Sequence, residues 1–60
     1  MSYVCVFLAE GFEEIEALTV VDLLRRVGIL TDMVSTTLEL SVTGSHGICI
    51  KADKIIEDVD

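Results

Sequence analysis

The sequence of 60 residues is poor in cysteine, histidine and basic residues, and it has no proline or tryptophan. Its two cysteines, Cys5 and Cys49, form no CxxC pair, and the sequence has a single histidine. The chain therefore carries neither a disulfide framework nor a zinc site. We expect both to be free thiols. Four lysine or arginine residues oppose eleven acidic ones, and the net charge of −7 argues against binding to nucleic acid or anionic membranes.

Long hydrophobic runs are also missing. The longest, Tyr3 to Ala9, is far shorter than the ~20 residues that span a bilayer. It lacks the basic flank and small-residue cleavage site of a secretory signal, so we predict a cytoplasmic protein. The hydrophobic content of 52% is nevertheless that of a folded chain. A domain of this size buries only about 60% of its unfolded surface, and we therefore expect marginal stability without a partner.

The first half of the chain predicts a βαβ unit over residues 3–35. Residues 3–8 are continuously apolar and rich in β-branched and aromatic side chains, as in a parallel strand that is covered on both faces. Residues 12–27 have helical periodicity, with two arginines in the last turn and Gly28 just beyond it. Residues 29–35 then supply a second strand, which a crossover helix places parallel to the first.

The second half predicts a β-hairpin over residues 38–52, because apolar and polar side chains alternate on both sides of the sequence Gly-Ser-His-Gly. Residues 53–60 are short and acidic, and we expect a helical turn there. One helix and a hairpin leave one face of the first strand uncovered. We therefore interpret residues 1–60 as the N-terminal segment of a single, larger α/β domain.

Glu16 is the residue that most needs an explanation. At about 100° per residue, this carboxylate falls inside the apolar arc of the predicted helix. A buried carboxylate takes up a proton or requires dedicated partners, and either property suits acid–base chemistry. A shift of the helix boundary by one residue would instead turn Glu16 outward, and the periodicity does not decide between the two. The arc is formed by Ala17, Val20, Val21, Leu23, Leu24 and Val27.

The other candidate residues have simpler interpretations. Glu10, Glu13 and Glu14 stand where a ligand would bind at the end of the first strand, but acids at a helix start are usually caps or dipole partners. His46 is most simply an exposed turn residue, since one histidine makes no metal site. Both cysteines are more easily explained as structural than as reactive thiols.

The segments VFLAEGFEEIEALTVVDLLRRVGI and VTGSHGICIKADK, followed by EDVD, closely resemble the N-terminal third of the ThiJ/PfpI family. The resemblance covers nearly the whole chain and is most specific in the acidic helix start and the GSHG turn. It implies a flavodoxin-like, class I glutamine amidotransferase-like three-layer sandwich, usually a homodimer. It also implies that Glu16 is a catalytic residue, hydrogen-bonded to an oxidation-sensitive cysteine beyond residue 60.

The implied activity is a glyoxalase-like or deglycase-like reaction on reactive aldehydes or glycated adducts, without a cofactor. The chain by itself should be inactive, since it would carry half of the site. The same resemblance admits a non-enzymatic oxidative-stress sensor or chaperone, or a peptidase-like or thiazole-biosynthesis protein. Ile15 and Leu18 lie off the main apolar arc, and because similar proteins dimerise through this helix, we predict a homodimer interface there. Contact of His46 with substrate or with a partner is the less favoured alternative for that residue.

Two unrelated classes fit less well. A signalling receiver domain would need an aspartate at the end of a third parallel strand, and the GSHG hairpin has no place in that topology. A dinucleotide-binding domain would need a GxGxxG loop, whereas Gly11 stands alone.

Overall fold

The computed structural model describes residues 3–59, which form a small α/β unit. Two β-sheets are present, a three-stranded parallel sheet and a two-stranded antiparallel one. The elements in chain order are β1 (Tyr3–Leu8), α1 (Glu14–Arg26), β2 (Leu30–Ser35), β3 (Ser41–Thr43), β4 (Cys49–Lys51), β5 (Lys54–Ile55) and a 3₁₀ helix (Ile56–Asp58). The predicted βαβ unit followed by a hairpin is therefore confirmed.

The parallel sheet has the strand order β1-β2-β5. β1 and β2 pair along their whole length, from Tyr3 opposite Leu30 to Leu8 opposite Ser35. β5 pairs with the end of β2, and the sequence did not predict it. We expected only a helical turn after the hairpin, but that turn, the 3₁₀ helix, follows a third strand. A strand of two residues is too short to show any periodicity.

Helix α1 ends as its sequence predicts. Gly28 has a φ of +85°, a left-handed conformation that glycine adopts without steric cost. Its N–H donates to the carbonyl of Arg25, and the N–H of Ile29 donates to that of Leu24. These two bonds form a Schellman motif, which turns the chain directly into β2. No helix within residues 3–59 is long and apolar enough to cross a membrane.

The core lies between α1, the parallel sheet and the hairpin. It is small, and much apolar surface remains outside it. We expected the residues of this chain to leave one face of β1 uncovered, and Tyr3 and Phe7 are 45% and 54% exposed in the described chain. The buried hydrophobic residues are Leu8, Val21, Val34, Val42 and Ala52.

A polar network crosses the uncovered face of the parallel sheet. The hydroxyl of Tyr3 donates a hydrogen bond of 2.7 Å to Asp32, and the ammonium of Lys54 lies 3.1 Å from the same carboxylate. The neighbouring thiol of Cys5 and the hydrogen bond to Asp32 raise the pKa of Tyr3 to about 12. Hydrogen bonds from Tyr3 and Lys54 lower the pKa of Asp32. The network ties β1, β2 and β5 together across the sheet.

The hairpin has shorter strands than the alternation over residues 38–52 suggested, with Val42 opposite Ile50 at its centre. Its apolar face is only partly buried, since Val42 is inaccessible to solvent whereas Leu38 is 71% exposed. Cys49 is exposed on the hairpin, and Cys5 is half-buried in β1. Both cysteines are free thiols.

Candidate functional site

The carboxylate that this unit buries is that of Glu14, and Glu16 is exposed. Glu14 is only 1% accessible to solvent although it is the first residue of α1. Of the two orientations that the periodicity left open for Glu16, the described residues 3–59 show the outward one. Both residues follow the carboxyl end of β1, the edge at which open α/β sheets bind ligands.

Glu14 is buried and Glu16 is exposed because the apolar surface of α1 has two stripes, and only one of them packs against the sheet. The packed stripe begins at Glu14 and has Val21 at its centre, with Ala17, Leu18 and Leu24 half-buried. The second stripe begins at Glu16 and is solvent-exposed in residues 3–59. At 100° per residue its members lie within about 60° of one another. They are Glu16, Val20, Leu23 and Val27, of which the last three are 48%, 57% and 72% exposed.

The side chain of Glu14 reaches into the turn between β3 and β4. Its Oε2 accepts hydrogen bonds from the backbone N–H of His46 at 2.9 Å and of Ile48 at 3.2 Å. Its Oε1 lies 2.7 Å from Nδ1 of His46. A carboxylate can only accept, so Nδ1 carries the proton. We call this set of contacts between Glu14, His46 and Ile48 the Glu14 clamp.

Gly44 makes room for the clamp. A Cβ atom built on it would lie 2.5 Å from Cγ and from Oε2 of Glu14, much closer than real Cβ contacts. Gly44 itself is buried. A residue without a side chain is therefore required at this position so that the carboxylate can pass the hairpin backbone.

Further hydrogen bonds fasten the segment before α1 to the same hairpin. In the backbone, Gly11 donates to Thr43 and Ser45 donates to Phe12, both at 2.8 Å. Two acidic side chains take part as well. Glu10 accepts from the N–H of Thr43 at 2.9 Å, and Glu13 accepts from the hydroxyl of Ser45 at 2.9 Å.

The acids at the helix start therefore do not act mainly as caps. Glu13 is the N-cap residue of α1, but within the described chain its side chain makes no capping hydrogen bond. Glu10, Glu13 and Glu14 instead bind the hairpin, which begins about 30 positions later. The interpretation of Glu14 as a cap is wrong, because the backbone N–H groups that donate to its carboxylate at 2.9 and 3.2 Å are those of His46 and Ile48 in the hairpin turn.

The contact between Glu14 and His46 shifts the pKa of both residues. Burial by itself would raise the pKa of Glu14, but the hydrogen bonds from the imidazole and from backbone N–H groups outweigh it and lower the pKa to about 2. The hydrogen bond to Glu14 raises the pKa of His46, with a smaller contribution from the charge of Glu13. Both shifts favour a carboxylate facing an imidazolium.

His46 is thus more than an exposed turn residue. Its side chain is 57% exposed, yet Nδ1 is held by a buried carboxylate. The carboxylate fixes the position of the ring proton and leaves Nε2 directed away from the clamp. No group of three or more histidine, cysteine or acidic residues within residues 3–59 could hold a metal ion.

The two residues of the predicted dimer surface differ in exposure. Ile15 is 73% exposed, whereas Leu18 is half-buried on the packed stripe between Glu14 and Val21. Only Ile15 therefore offers a fully open apolar side chain at the start of α1.

Sequence reasoning missed the clamp because its members are 32 to 34 residues apart. Periodicity describes one helix at a time and does not show which distant turn an acid at its first position reaches. One signal was present. The sequence Gly-Ser-His-Gly has small residues, which let another segment approach its backbone closely, and it holds the single histidine of the sequence. A histidine in such a turn is a natural partner for one of the glutamates at the helix start.

Comparison with known structures places this arrangement in a class of α/β proteins. The chain is 36% identical to a cysteine-to-alanine mutant of a DJ-1 superfamily protein from Salmonella typhimurium, with a TM-score of 0.94 over 97% of this chain and 31% of that one. It is 40% identical to oxidized DJ-1 from Toxoplasma gondii, with a TM-score of 0.91 over 95% of this chain and 31% of that one. It is 25% identical to DJ-1 from Schizosaccharomyces pombe, with a TM-score of 0.84 over 97% of this chain and 32% of that one.

The family model of the DJ-1/PfpI family matches residues 2–60. The chain therefore belongs to the DJ-1/PfpI family, and the resemblance noted in the sequence is confirmed. It spans about a third of the length of the structures that it matches. The comparison with curated proteins gives no match.

Proposed function

We propose that this segment contributes the acidic half of a cysteine-dependent site that acts on reactive aldehydes or glycated adducts, in a glyoxalase-like or deglycase-like reaction without a cofactor. The observation that supports it best is the position of Glu16. This residue follows the carboxyl end of β1 and begins an apolar stripe that residues 3–59 leave open. Whatever packs on Val20, Leu23 and Val27 would also cover Glu16 and give a carboxylate the low-dielectric surroundings that acid–base catalysis uses.

The nucleophile of this proposal lies in a part of the full-length protein outside this segment. Neither cysteine present here suits the role. Cys5 is half-buried inside β1, and Cys49 is exposed on the hairpin, away from the start of α1. In the reaction, Glu16 takes the proton of the cysteine thiol, the thiolate attacks the carbonyl carbon of the aldehyde, and Glu16 passes the same proton to the oxygen that becomes negative.

The test is the Glu16→Gln variant of the full-length protein, with methylglyoxal as substrate. Glutamine keeps the size of the side chain and removes its proton transfer, so kcat should fall by at least ~100-fold, as for loss of a general acid–base group. Glu57→Gln, an exposed acid of the 3₁₀ helix, is the matched control and should leave kcat unchanged. Equal rates for Glu16→Gln and the unchanged protein would refute the catalytic role.

A second candidate function is oxidative-stress sensing, alone or with chaperone activity, in which Glu16 stabilises an oxidised cysteine and no substrate is turned over. The support is that the similar Toxoplasma gondii DJ-1 was characterised in an oxidized form. Mass spectrometry of the full-length protein after mild peroxide treatment distinguishes the two. A sulfinate on one cysteine, lost in Glu16→Gln and found without aldehyde turnover, would favour the sensor.

We further propose that the full-length protein is a homodimer that uses the start of α1. Ile15 is the most exposed large hydrophobic residue of the described chain, and such a residue beside an open apolar stripe indicates a contact surface. Leu18 would add to this contact only at its outer edge, because it is half-buried against the sheet.

A further inference from the structure

We propose that Glu14 and His46 form a pH-dependent positioning pair, which locks the first turn of α1 to the β3–β4 turn and so fixes where Glu16 stands. The inference rests on the proposed function in so far as Glu16 is the catalytic acid. The coupling between the hairpin turn and the helix start can be tested without any activity.

The position of Glu14 determines the position of Glu16. Glu14 and Glu16 belong to the same helical turn and are separated by about 3 Å along the axis. Glu14 is held by hydrogen bonds from His46 and Ile48 at 2.7, 2.9 and 3.2 Å, and by a longer one of 3.5 Å from the hydroxyl of Ser45. A displacement of Glu14 from the turn must therefore move the backbone that carries Glu16.

The pair also joins α1 to the hairpin. The hairpin forms a separate two-stranded sheet, and its turn reaches α1 through Glu14 and the neighbouring residues Phe12 and Glu13. Glu14 is the buried member of this set of contacts between the helix start and the hairpin, so a weaker bond to His46 loosens the contact at its centre. The adjacent Gly44 leaves no room for a side chain beside the carboxylate, since a Cβ atom there would lie 2.5 Å from Cγ and from Oε2 of Glu14.

His46 is the member of the pair that titrates near neutral pH. The charged groups that face it are acidic, Glu14 and Glu13 from the start of α1, and Glu10 binds the hairpin backbone at Thr43 nearby. As an imidazolium, His46 compensates these charges. When it loses its proton, the Nδ1–H bond remains but the charge compensation is lost, and three glutamates are left around the turn.

The first experiment is a proton NMR titration of His46 in the full-length protein. In the unchanged protein the midpoint should lie above 6.5, and the backbone amide of Glu16 should shift with the same midpoint. Glu14→Gln should return the midpoint toward the ordinary value. Glu13→Gln, the matched control, should change it less, because Glu13 makes no direct hydrogen bond to His46 and reaches it through its charge and through the hydroxyl of Ser45. An amide of Glu16 that ignores the titration of His46 would overturn the proposal.

The second experiment replaces the titrating group. His46→Arg keeps a positive charge at all relevant pH values, so the NMR signal of the Glu16 amide should no longer shift with pH near neutrality. This variant tests the proposal even if Glu14→Gln does not fold. Turnover of methylglyoxal should then lose the component of its pH profile that follows the His46 midpoint. A shift that persists in His46→Arg would refute the coupling. Absence of turnover in every variant, with the shift present in the unchanged protein, would refute the proposed function and leave the coupling standing.

Discussion

Glu14 and Glu16 stand two positions apart on one helical turn, and their surroundings give the two carboxylates different roles. Glu14 meets backbone N–H groups and an imidazole, so it is held ionised in a buried place. Glu16 shares its stripe with Val20 and Leu23, which offer a carboxylate no hydrogen bond. The first arrangement stabilises a structure, whereas the second leaves a carboxylate available for a reacting partner.

The stability that the Glu14 clamp contributes should depend on pH in both directions. The pKa of Glu14 is lowered from 4.5 to about 2, so its contribution is complete above 4.5 and is lost as the pH falls toward 2. The pKa of His46 is raised from 6.5, so its contribution is complete below 6.5 and is lost as the pH rises through the raised value. The clamp should therefore stabilise most between 4.5 and 6.5.

This pH dependence can be measured as the difference in unfolding free energy between the full-length protein and its His46→Gln variant, by urea denaturation at a series of pH values. The difference should be largest in that acidic window and shrink toward alkaline pH. Asp22→Asn, which removes an exposed ion pair with Arg26, is the control and should show no such window. A constant difference for His46→Gln across the range would contradict the assignment.

At the level of residues, the sequence predicted the placement of Glu16 only in part. Periodicity correctly grouped it with Val20, Leu23 and Val27, but it could not tell which half of a wide apolar arc the sheet would cover. The burial of Glu14 was unpredictable for another reason. It depends on Gly44 and His46, which are brought there by the register of a hairpin and not by the helix itself.

Among the elements, the hairpin turn depends on one glycine in particular. Gly44→Ala should destabilise the full-length protein by about 1–3 kcal/mol, since the added methyl group overlaps the side chain of Glu14. Gly47→Ala is the matched control. Gly47 has a φ of +76° and open space around it in residues 3–59, so alanine there should cost about 1–2 kcal/mol through backbone strain alone.

The two glycine variants differ most clearly in their effect on His46. Only Gly44→Ala should move Glu14 away from the turn and lower the pKa of His46, which proton NMR measures directly. Gly47→Ala should leave the contact between Glu14 and His46 in place. If both variants changed the titration of His46 equally, general loosening of the hairpin would explain the result and close packing at Gly44 would not.

The exposed stripe of α1 leads to a prediction about its partner surface. We expect Leu23→Ala to destabilise the full-length protein by about 2–5 kcal/mol, as for a buried leucine, although this side chain is 57% exposed in residues 3–59. Leu38→Ala, at a position 71% exposed before β3, is the control and should cost about 0.5 kcal/mol or less. Denaturant unfolding measures both. A loss as small for Leu23 as for Leu38 would remove the argument that Glu16 becomes covered.

The elements themselves were largely predictable, for reasons that also explain the exceptions. β1, α1 and β2 each have a period or a continuous run long enough to recognise, and Gly28 marks the end of the helix. β5 has two residues, one of them Lys54, and it exists because β2 offers it a free edge. Such a strand depends on its neighbour, so its own sequence carries no signal of it.

At the scale of the whole molecule, the described residues bury few apolar side chains and leave many exposed. Only five hydrophobic residues are buried in the described chain, whereas Tyr3, Phe7 and Leu30 leave a face of the sheet about half exposed. Monomeric proteins rarely leave such contiguous apolar patches open. The relatives that share this fold are about three times as long as the chain. That residues 1–60 are the N-terminal segment of one larger domain stays a prediction, which a search for a partner surface on this face of the sheet would test.

The proposed homodimer gives the last prediction, and the exposures of the helix residues decide which substitution tests it. Leu18→Glu would bury a charge against the sheet and could unfold the protein, so a loss of dimers would be ambiguous. Ile15 is 73% exposed, and Ile15→Glu should leave the fold intact and place two like charges in an interface that uses this helix. Leu38→Glu introduces the same charge at a similarly exposed site on another element. Sedimentation of the full-length proteins should show monomers for Ile15→Glu and dimers for Leu38→Glu, and dimers in both would exclude the start of α1 from the interface.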